Sequence, residues 1–582
     1  MVYNKLLQDV KTSQINIDVF GGYNHNLSLN SNEFFDMRNL TSDNYPILSP
    51  RSKRGDYEFP TKKPLGMIDK DALYYVDEGR LYYNGKEILD FELDAETEKN
   101  LVSMGAYLLI FPDKKYINTQ KLEDRGNIEE TFTSSSTVNF DLCKIDASLY
   151  PDNIPAQPSE PSNPNNLDLW IDTSSTPNTL KQFSKTNAAW VAVTTTYIKI
   201  SSLGIGEKFN KFDGVTISGI AIEDLQDINN TMVVWEKAKD YIVVVGLISI
   251  HYEQQEPIKI ERLMPQMDFV TESGNRLWGC KYGQANNGQI VNEIYCSKLG
   301  DFKNWNCFMG LSTDSYVASV GTDGHFTGAI THMGYPLFFK ENSLHKVYGT
   351  FPSNFQIQTT ACRGVQLGSS KSLVIVNEVL FYLSRSGICA YDGSLPVEMS
   401  QKLGNTQYHN AVAGVVNNKY YVSMADNKNL YHLFVFDSAK GLWHKEDDTQ
   451  VVQFCNCQGE LYYIDKETQK IKTVLGKGNL EKKPVSWLAE TGVLSTDTPN
   501  KKYIYRLNVR MSLDLNTVVR MYIQYDSQGD WEQVVSVKAT NLRTFTLPIK
   551  PKRCDHLRLR IVGEGEAKIY SITQHIEQGS DV

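Results

Sequence analysis

The sequence predicts an all-β protein: a β-propeller of about seven blades, with an inserted small β module and a C-terminal antiparallel β-sandwich. Three observations support this fold class. The 582 residues include 32 Tyr, 24 Phe and 8 Trp, and aromatic side chains favour strands. Aromatic hairpins recur along the chain at a period typical of propeller blades. Beyond Leu494, apolar and polar residues alternate in longer runs, which is typical of sandwich strands.

The recurring unit is a pair of aromatic strands around a tight turn. Its clearest copy is ALYYVDEGRLYYNG, residues 72–85, in which a glycine turn separates the two strands. Related segments begin at Ala106, Met232, Arg276, Tyr335, Val379, Lys419 and Glu460. From Met232 onward, successive segments start 44, 59, 44, 40 and 41 residues apart. Because hairpins alone do not fix the number of four-stranded units, six and eight blades stay open beside seven.

Breaks in this period predict five parts. Prolines 151, 155, 158, 161 and 164 exclude a regular helix or a central strand, so the segment around them is expected to be an extended linker. Trp170 and Trp190 follow in a compact β-like piece. The predicted parts are an extended N-terminal segment leading into the ring (1–60), the first blades (61–130), the Ser/Pro-rich linker with the inserted module (131–200), the remaining blades (201–494) and the sandwich (495–582).

Charge and cysteine content exclude several classes of protein. The net charge of −9 argues against a general nucleic-acid binder, since such binding depends on neutralising phosphates. Residues 501–560 hold 12 Lys and Arg against five acidic residues, a net +7, which leaves −16 on the rest of the chain. Nine scattered cysteines do not form a disulfide framework. No apolar run is long enough for a membrane helix and no secretory signal is visible, so we expect no membrane anchor and synthesis in a cytoplasm.

Motifs of catalysis and metal binding are missing from the sequence. It contains no GxSxG elbow, P-loop, HExxH or EF-hand loop, and no histidine pair at metal-ligand spacing. We therefore predict a protein that is not an enzyme, with no catalytic residue, cofactor or metal. SKLGDFKNW, residues 297–305, loosely resembles the Asp-box turn of sialidase propellers, where it closes a hairpin away from the catalytic face. A propeller glycosidase stays open on this basis as a minor alternative.

Two sets of residues are candidates for contacts with a ligand or partner. Trp170 and Trp190 can form a sugar-stacking platform, or they can supply the core of a very small domain. In YRLNVRM, residues 505–511, Arg506 and Arg510 share one face of a strand while Leu507, Val509 and Met511 share the other. Arg558 and Arg560 alternate with apolar residues in the same way. These four arginines are candidates for inter-subunit contacts with carboxylates, and a simply solvated basic surface is the alternative.

Two blocks of the sequence, one of which begins with the same SKLGDFKNW segment, resemble a family of virion proteins. SKLGDFKNW is followed by DSYVASVGTDG and THMGYPLFFKENSLHKVYGTFP. The N-terminal FGGYNHNLSLNSNEFFDMRNLTSDNYPILSPRSKRG precedes the first blade. Both blocks resemble proteins of tailed bacteriophages of the tail-nozzle or packaged-DNA stabilisation type. The resemblance covers about residues 20–115 and 260–480, whereas the inserted module and the terminal sandwich depart from the simplest members.

The resemblance implies a structural component of a tailed phage virion, in the neck, tail nozzle or tail hub. The chain would then form part of an oligomeric homomeric ring, for example a hexamer, around the DNA exit channel. Its expected partners are other virion proteins (portal, adaptor, tail or fibre proteins), and genomic DNA would pass without sequence-specific binding. An acidic body that repels phosphates suits such a conduit. A carbohydrate-binding receptor or adhesion protein of the tail is the main alternative.

Overall fold

The computed structural model describes residues 12–285, 288–494, 501–549 and 552–577. Strands dominate, and the helices within these ranges are four 3-10 turns: Glu223–Ile228, Pro352–Asn354, Ser370–Ser372 and Gln401–Leu403. No helix among these residues has the length and apolar character needed to cross a membrane. The chain divides into two compact units. One comprises the described residues up to Leu101, Phe338–His345 and those from Thr359 onward; the other comprises 102–337 and 346–358.

Seven sheets built from successive strands, named blades 1 to 7 in chain order, form the repeating part of the described chain. The strands of blades 1 to 4 are Pro64–Lys70, Ala72–Asp77, Arg80–Tyr83 and Lys86–Glu92; Asn100–Met104, Tyr107–Phe111, Lys115–Asn118 and Arg125–Asn127; Phe269–Ser273, Arg276–Gln284, Ile290–Cys296 and Tyr316–Ser319; Phe326–His332, Tyr335–Lys340, Ser343–Tyr348 and Gln356–Ala361.

Blades 5 to 7 continue the same order of strands. They comprise Val374–Val376, Val379–Ser384, Gly387–Tyr391 and Val397–Glu398; His409–Val416, Lys419–Ala425, Tyr431–Asp437 and Leu442–Lys445; Val451–Cys457, Glu460–Asp465 and Lys470–Thr473, with Gly55–Asp56 and Asn479–Leu480 added at one edge. Each strand lies beside the next one along the chain, which is the topology of propeller blades. The prediction of an all-β propeller is confirmed.

The second strand of a blade is its most deeply buried one. Every residue of Ala72–Asp77, Lys419–Ala425 and Glu460–Asp465 is buried. A strand that is covered on both faces needs a continuous apolar run rather than an alternating pattern. This burial explains why aromatic runs such as LYYV and KYYV mark the repeat in the sequence.

Blade 7 is completed by the N-terminal chain and lies beside blade 1. Gly55–Asp56 pairs with both Lys470–Thr473 and Asn479–Leu480. The Gln453 side chain of blade 7 donates from Nε2 to the Met67 carbonyl of blade 1 at 2.9 Å and accepts from the Met67 N–H at 3.1 Å. The Tyr57 ring lies edge-on to Tyr75 of blade 1 and to Tyr462 of blade 7. The first and last blades in chain order are therefore neighbours.

The predicted C-terminal sandwich is a single curled sheet, here called the terminal sheet. The strand Lys502–Tyr525 pairs with Ala567–Glu577 along its first half and with Leu557–Glu564 along its second half. Buried side chains of both halves, among them Val509 and Ile523, belong to one core. Its other strands are Glu532–Leu547, Arg553–Cys554, Ser486–Thr491, Thr12–Ile17 and Phe34–Arg38. The sheet thus includes N-terminal strands that a boundary at residue 495 leaves out.

The inserted part extends from Glu130 to Arg262, which differs from the predicted span of 131–200. Glu130–Thr133 pairs with Lys259–Arg262 and so joins the two ends of the insertion. The strands form three sheets: Glu130–Thr133, Lys259–Arg262, Gly214–Ser218 and Thr231–Val233; Glu236–Ala238, Tyr241–Val245, Tyr197–Ser201, Val138–Cys143 and Tyr252–Gln254; Ala156–Gln157, Leu169–Asp172, Thr179–Ser184 and Ala189–Ala192.

The hairpin that begins at Met232 lies in this insertion and not in a blade. Its strand Tyr241–Val245 pairs with Tyr197–Ser201, which in turn pairs with Val138–Cys143. Residues 201–262, which the repeat predicts to lie in blades, instead complete the insertion's own sheets. The misassignment arose because a buried apolar strand such as YIVVV has the same composition in either setting.

Two buried histidines should make the stability depend on pH. Burial lowers the pKa of His444 to about 3 and that of His345 to about 4. Below about pH 6.5 the unfolded chain protonates these rings whereas the native chain does not. The two histidines therefore leave the free energy of unfolding undiminished above pH 6.5. As the pH decreases towards 4, the free energy of unfolding falls, because the unfolded chain binds about one more proton per histidine than the native chain. We expect the free energy of urea unfolding to fall less between pH 7 and pH 4.5 in His345→Gln/His444→Gln than in the native protein. An equal slope in both proteins would contradict this expectation.

Candidate functional site

Trp170 and Trp190 meet in the third sheet of the insertion, here called the Trp sheet. Trp170 is buried, and its indole N–H donates to the Gln157 carbonyl at 2.9 Å. The Lys181 ammonium lies 5.0 Å from the centre of its ring. Trp190 is half-buried and contacts Trp170 edge-on, with ring centres 5.4 Å apart. Trp170 thus serves as core, whereas Trp190 keeps an accessible surface.

The accessible part of Trp190 lines a groove of about 360 Å³, here called the Trp190 groove. One wall is formed by the chain from Pro151 to Pro155, and the other by the loop from Pro161 to Pro164. Leu167, Asp168 and Leu169 complete the lining. The sequence pointed to the tryptophan pair, but the groove could not be inferred because it depends on how two proline-rich loops fold back.

Arg558 and Arg560 are engaged within the chain. Both bind the carboxylate of Glu490, a side chain only 7 % exposed; the Arg560 Nη2 lies 2.6 Å from a Glu490 oxygen. The Arg560 guanidinium also lies over the Trp531 ring, 4.1 Å from its centre. The predicted strand alternation holds, but these two arginines are bound to their own Glu490, so they do not present a free basic surface to a partner.

Arg506 and Arg510 are exposed on the terminal sheet. Leu507, Val509 and Met511 on the opposite face are fully buried, as the alternation predicted. Neither arginine forms an ion pair with any residue within the described ranges. Of the four arginines proposed for inter-subunit contacts, these two remain available for that role.

The Asp-box-like turn at residues 297–305 is a structural feature of blade 3. Asp301 accepts hydrogen bonds from the Lys303 N–H at 3.0 Å and from the Asn304 amide at 2.5 Å. Asn304 also donates to Asp213 of the insertion, which forms a buried ion pair with Arg262 at 2.5 Å. Trp305 is buried and donates its indole N–H to the Phe302 carbonyl. The motif therefore fastens the insertion to blade 3, and its residues are occupied by these structural contacts.

Metal-ligating side chains are not gathered into a site in the part of the chain that the structure describes. No group of three or more His, Cys, Asp or Glu side chains there can hold a metal ion. Burial raises the pKa of the Cys143 and Cys296 thiols to about 12 and that of Cys307 to about 11. Since the thiolate is the reactive form of cysteine, these thiols are poor nucleophiles at neutral pH.

Comparisons with known proteins give distant structural similarity alone. No protein-family model matches the sequence, and no curated protein matches it. An exo-β-1,3-galactanase from Phanerochaete chrysosporium is 9% identical over 52% of this chain and 94% of that one, with a TM-score of 0.21. The Trypanosoma rangeli sialidase is 9% identical over 90% of this chain and 96% of that one, with a TM-score of 0.20. Similarity at this level transfers no activity to this chain, and its fold class is argued above from its own strand order.

Proposed function

We propose that the protein is a structural component of a tailed phage virion, part of an oligomeric ring around the DNA exit channel in the neck, tail nozzle or tail hub. The observation that carries the proposal is the role of the N-terminal block that resembles tail-nozzle proteins. This block, residues 20–55, binds blade 6 and the terminal sheet together and ends in the strand that completes blade 7. Its motif residues thus fasten the N-terminal chain to the blades and the terminal sheet, which supports a structural role.

The central contacts of this block are made by Asn39 and two arginines. The Asn39 side chain accepts from Arg51 Nε at 2.8 Å and donates to the Ser486 carbonyl at 2.8 Å. Arg54, whose side chain is only 3 % exposed, lies 2.6 Å from a Glu446 oxygen and 2.9 Å from an Asp447 oxygen. Asn39 and Arg51 are the asparagine and arginine of the N-L…Y-P-x-L-x-P-R pattern. Their contacts therefore give the pattern a structural role, that of joining the N-terminal chain to the blades and the terminal sheet.

The charge distribution gives the proposal a mode of assembly. The exposed Arg506 and Arg510 lie in the segment that carries +7, while the rest of the chain carries −16. Copies in a ring can set this basic face against an acidic face of the neighbour. Each exposed ion pair contributes only about 0–1 kcal/mol, so apolar contacts must add to such an interface.

Charge reversal at these two positions should weaken the ring. We expect Arg506→Glu/Arg510→Glu to have a smaller assembled mass than the native protein in light scattering at 0.1 M salt. The native ring should loosen towards 1 M salt, where the Debye length falls from about 10 Å to about 3 Å. Lys428→Glu/Lys466→Glu, a reversal of equal charge on exposed blade turns, should assemble normally. Equal assembled mass for all three proteins at both salt concentrations would contradict electrostatic docking.

The proposal itself is tested by incorporation into particles. Phage particles grown from a genome carrying an epitope on this chain should retain the epitope after purification through a density gradient. Particles that form and infect without the protein would overturn a structural role in the virion. Turnover of a host-wall polymer by the pure protein, abolished by substitution of one carboxylate, would establish an enzyme instead.

A further inference from the structure

We propose that the Trp190 groove binds neutral glycans, with one hexose or N-acetylhexosamine ring packed against the indole. This site is separate from the proposed ring assembly and does not depend on it. Small-ligand sites are concave, largely apolar, and carry a few polar groups that fix the ligand's orientation. The Trp190 groove combines an indole, several prolines and two leucines with the polar residues Asp152, Asn153, Ser162 and Asn163.

The Trp190 ring is held in place from behind. Trp170 contacts it edge-on at 5.4 Å between ring centres, and Phe183 does so at 5.5 Å, with interplanar angles of 70° and 65°. These contacts fix the indole without covering the surface that lines the groove. An indole presents an apolar body, so it can pack against the C–H groups of a sugar ring while the hydroxyl groups reach polar side chains.

Both loops of the groove are fastened to the Trp sheet. The Ile171 N–H donates to the Pro155 carbonyl at 2.9 Å, and Ala156 pairs with Ile171 in parallel. The Asn165 N–H donates to an Asp168 carboxylate oxygen at 2.6 Å, which anchors the second loop. Prolines restrict the loops further. A groove formed before the ligand arrives loses little conformational entropy on binding, which favours affinity.

The charge of the lining selects the class of glycan. The lining residues include two acidic ones, Asp152 and Asp168, and no lysine, arginine or histidine. Carboxylates accept hydrogen bonds from sugar hydroxyl groups, and the Asn153 and Asn163 amides can both donate and accept. A sialic acid or uronic acid would bring a like charge to these carboxylates, which is unfavourable. The groove is therefore suited to uncharged sugars and unsuited to acidic ones.

The test is binding of the full-length protein to an array of neutral oligosaccharides of glucose, galactose and N-acetylglucosamine, printed beside their sialylated and uronic-acid counterparts. We expect binding to neutral members alone. Trp190→Ala should weaken that binding by about tenfold or more, as expected for loss of a central aromatic contact. Trp235→Ala, which removes a half-buried tryptophan elsewhere in the insertion, should bind like the native protein.

A charge substitution keeps the proposal falsifiable if Trp190→Ala fails to fold. Asp152→Lys should admit the acidic oligosaccharides that the native groove excludes. Glu160→Lys changes an exposed residue that lies between the two loops outside the lining, and should keep the native selectivity. The proposal is wrong if the native protein binds no neutral oligosaccharide or prefers acidic ones. It is also wrong if a folded Trp190→Ala binds like the native protein, or if Asp152→Lys and Glu160→Lys select alike.

Discussion

Replacing Arg54 by methionine should lower the free energy of unfolding by about 3–5 kcal/mol, the usual loss when one partner of a buried ion pair is removed. Glu446 and Asp447 would then be left without their main cation; the Glu446 side chain is 4 % exposed and that of Asp447 is 16 % exposed. Burial disfavours the charged form of Asp447, yet Arg54 and Arg51 hold its pKa below the usual value. Urea unfolding at pH 7 measures the effect.

The same loop provides a matched control. Arg38 pairs with Asp448 at 2.9 Å, but both side chains are more than half exposed. Arg38→Met should therefore lower the free energy of unfolding by only about 0–1 kcal/mol. The losses in the free energy of unfolding caused by Arg54→Met and by Arg38→Met should become more similar as the pH falls, because a protonated Asp447 no longer needs its cation. Equal losses for the two variants would show that the N-terminal block is not held by the buried arginine.

Deleting residues 131–200 should unfold the inserted part. The deletion removes Val138–Cys143 and most of Tyr197–Ser201, two of the five strands of one sheet. It also removes the fully buried Phe140, Ile198 and Ile200. At about 1.5–3 kcal/mol for each buried side chain, the loss is on the order of 5–9 kcal/mol, comparable with the whole stability of a typical domain. Proteolysis should cut residues 201–262 rapidly.

Excision of the complete insertion is the corresponding control. Because Glu130 pairs with Arg262, a short Gly-Ser linker can replace residues 130–262. This excision removes Asp213 and Arg262 together and so leaves neither buried charge unpaired. The protein without residues 130–262 should keep a sharp melting transition. If the 131–200 deletion melts sharply and the complete excision is insoluble, the pairing of Glu130–Thr133 with Lys259–Arg262 and of Val138–Cys143 with Tyr197–Ser201 is wrong.

Local patterns made the blades predictable from the sequence. A blade strand pairs with its neighbour across a short turn, so runs such as ALYYVDEGRLYY contain both partners. The alternation around Arg506 and Arg558 likewise predicted which faces are buried. Both features depend on residues that lie close together in the sequence.

Long-range pairing explains what the sequence did not reveal. Three features of the fold join distant parts of the chain. They are the pairing of Glu130 with Arg262, the binding of Glu490 to Arg558 and Arg560, and the place of Gly55–Asp56 in blade 7. Nothing in the composition of those segments identifies the partner. The Trp190 groove has the same origin, since Trp190 and the loop that begins at Pro151 come together only when the Trp sheet forms.

Labelled electron microscopy of the virion tests most directly the proposal that this chain is a structural ring component of a tailed phage virion. Antibodies against the native protein, imaged in negative stain on intact particles, should decorate the neck or tail at one level, and the pure protein should form rings. Intact particles that remain undecorated, together with a pure protein that stays monomeric, would contradict the account.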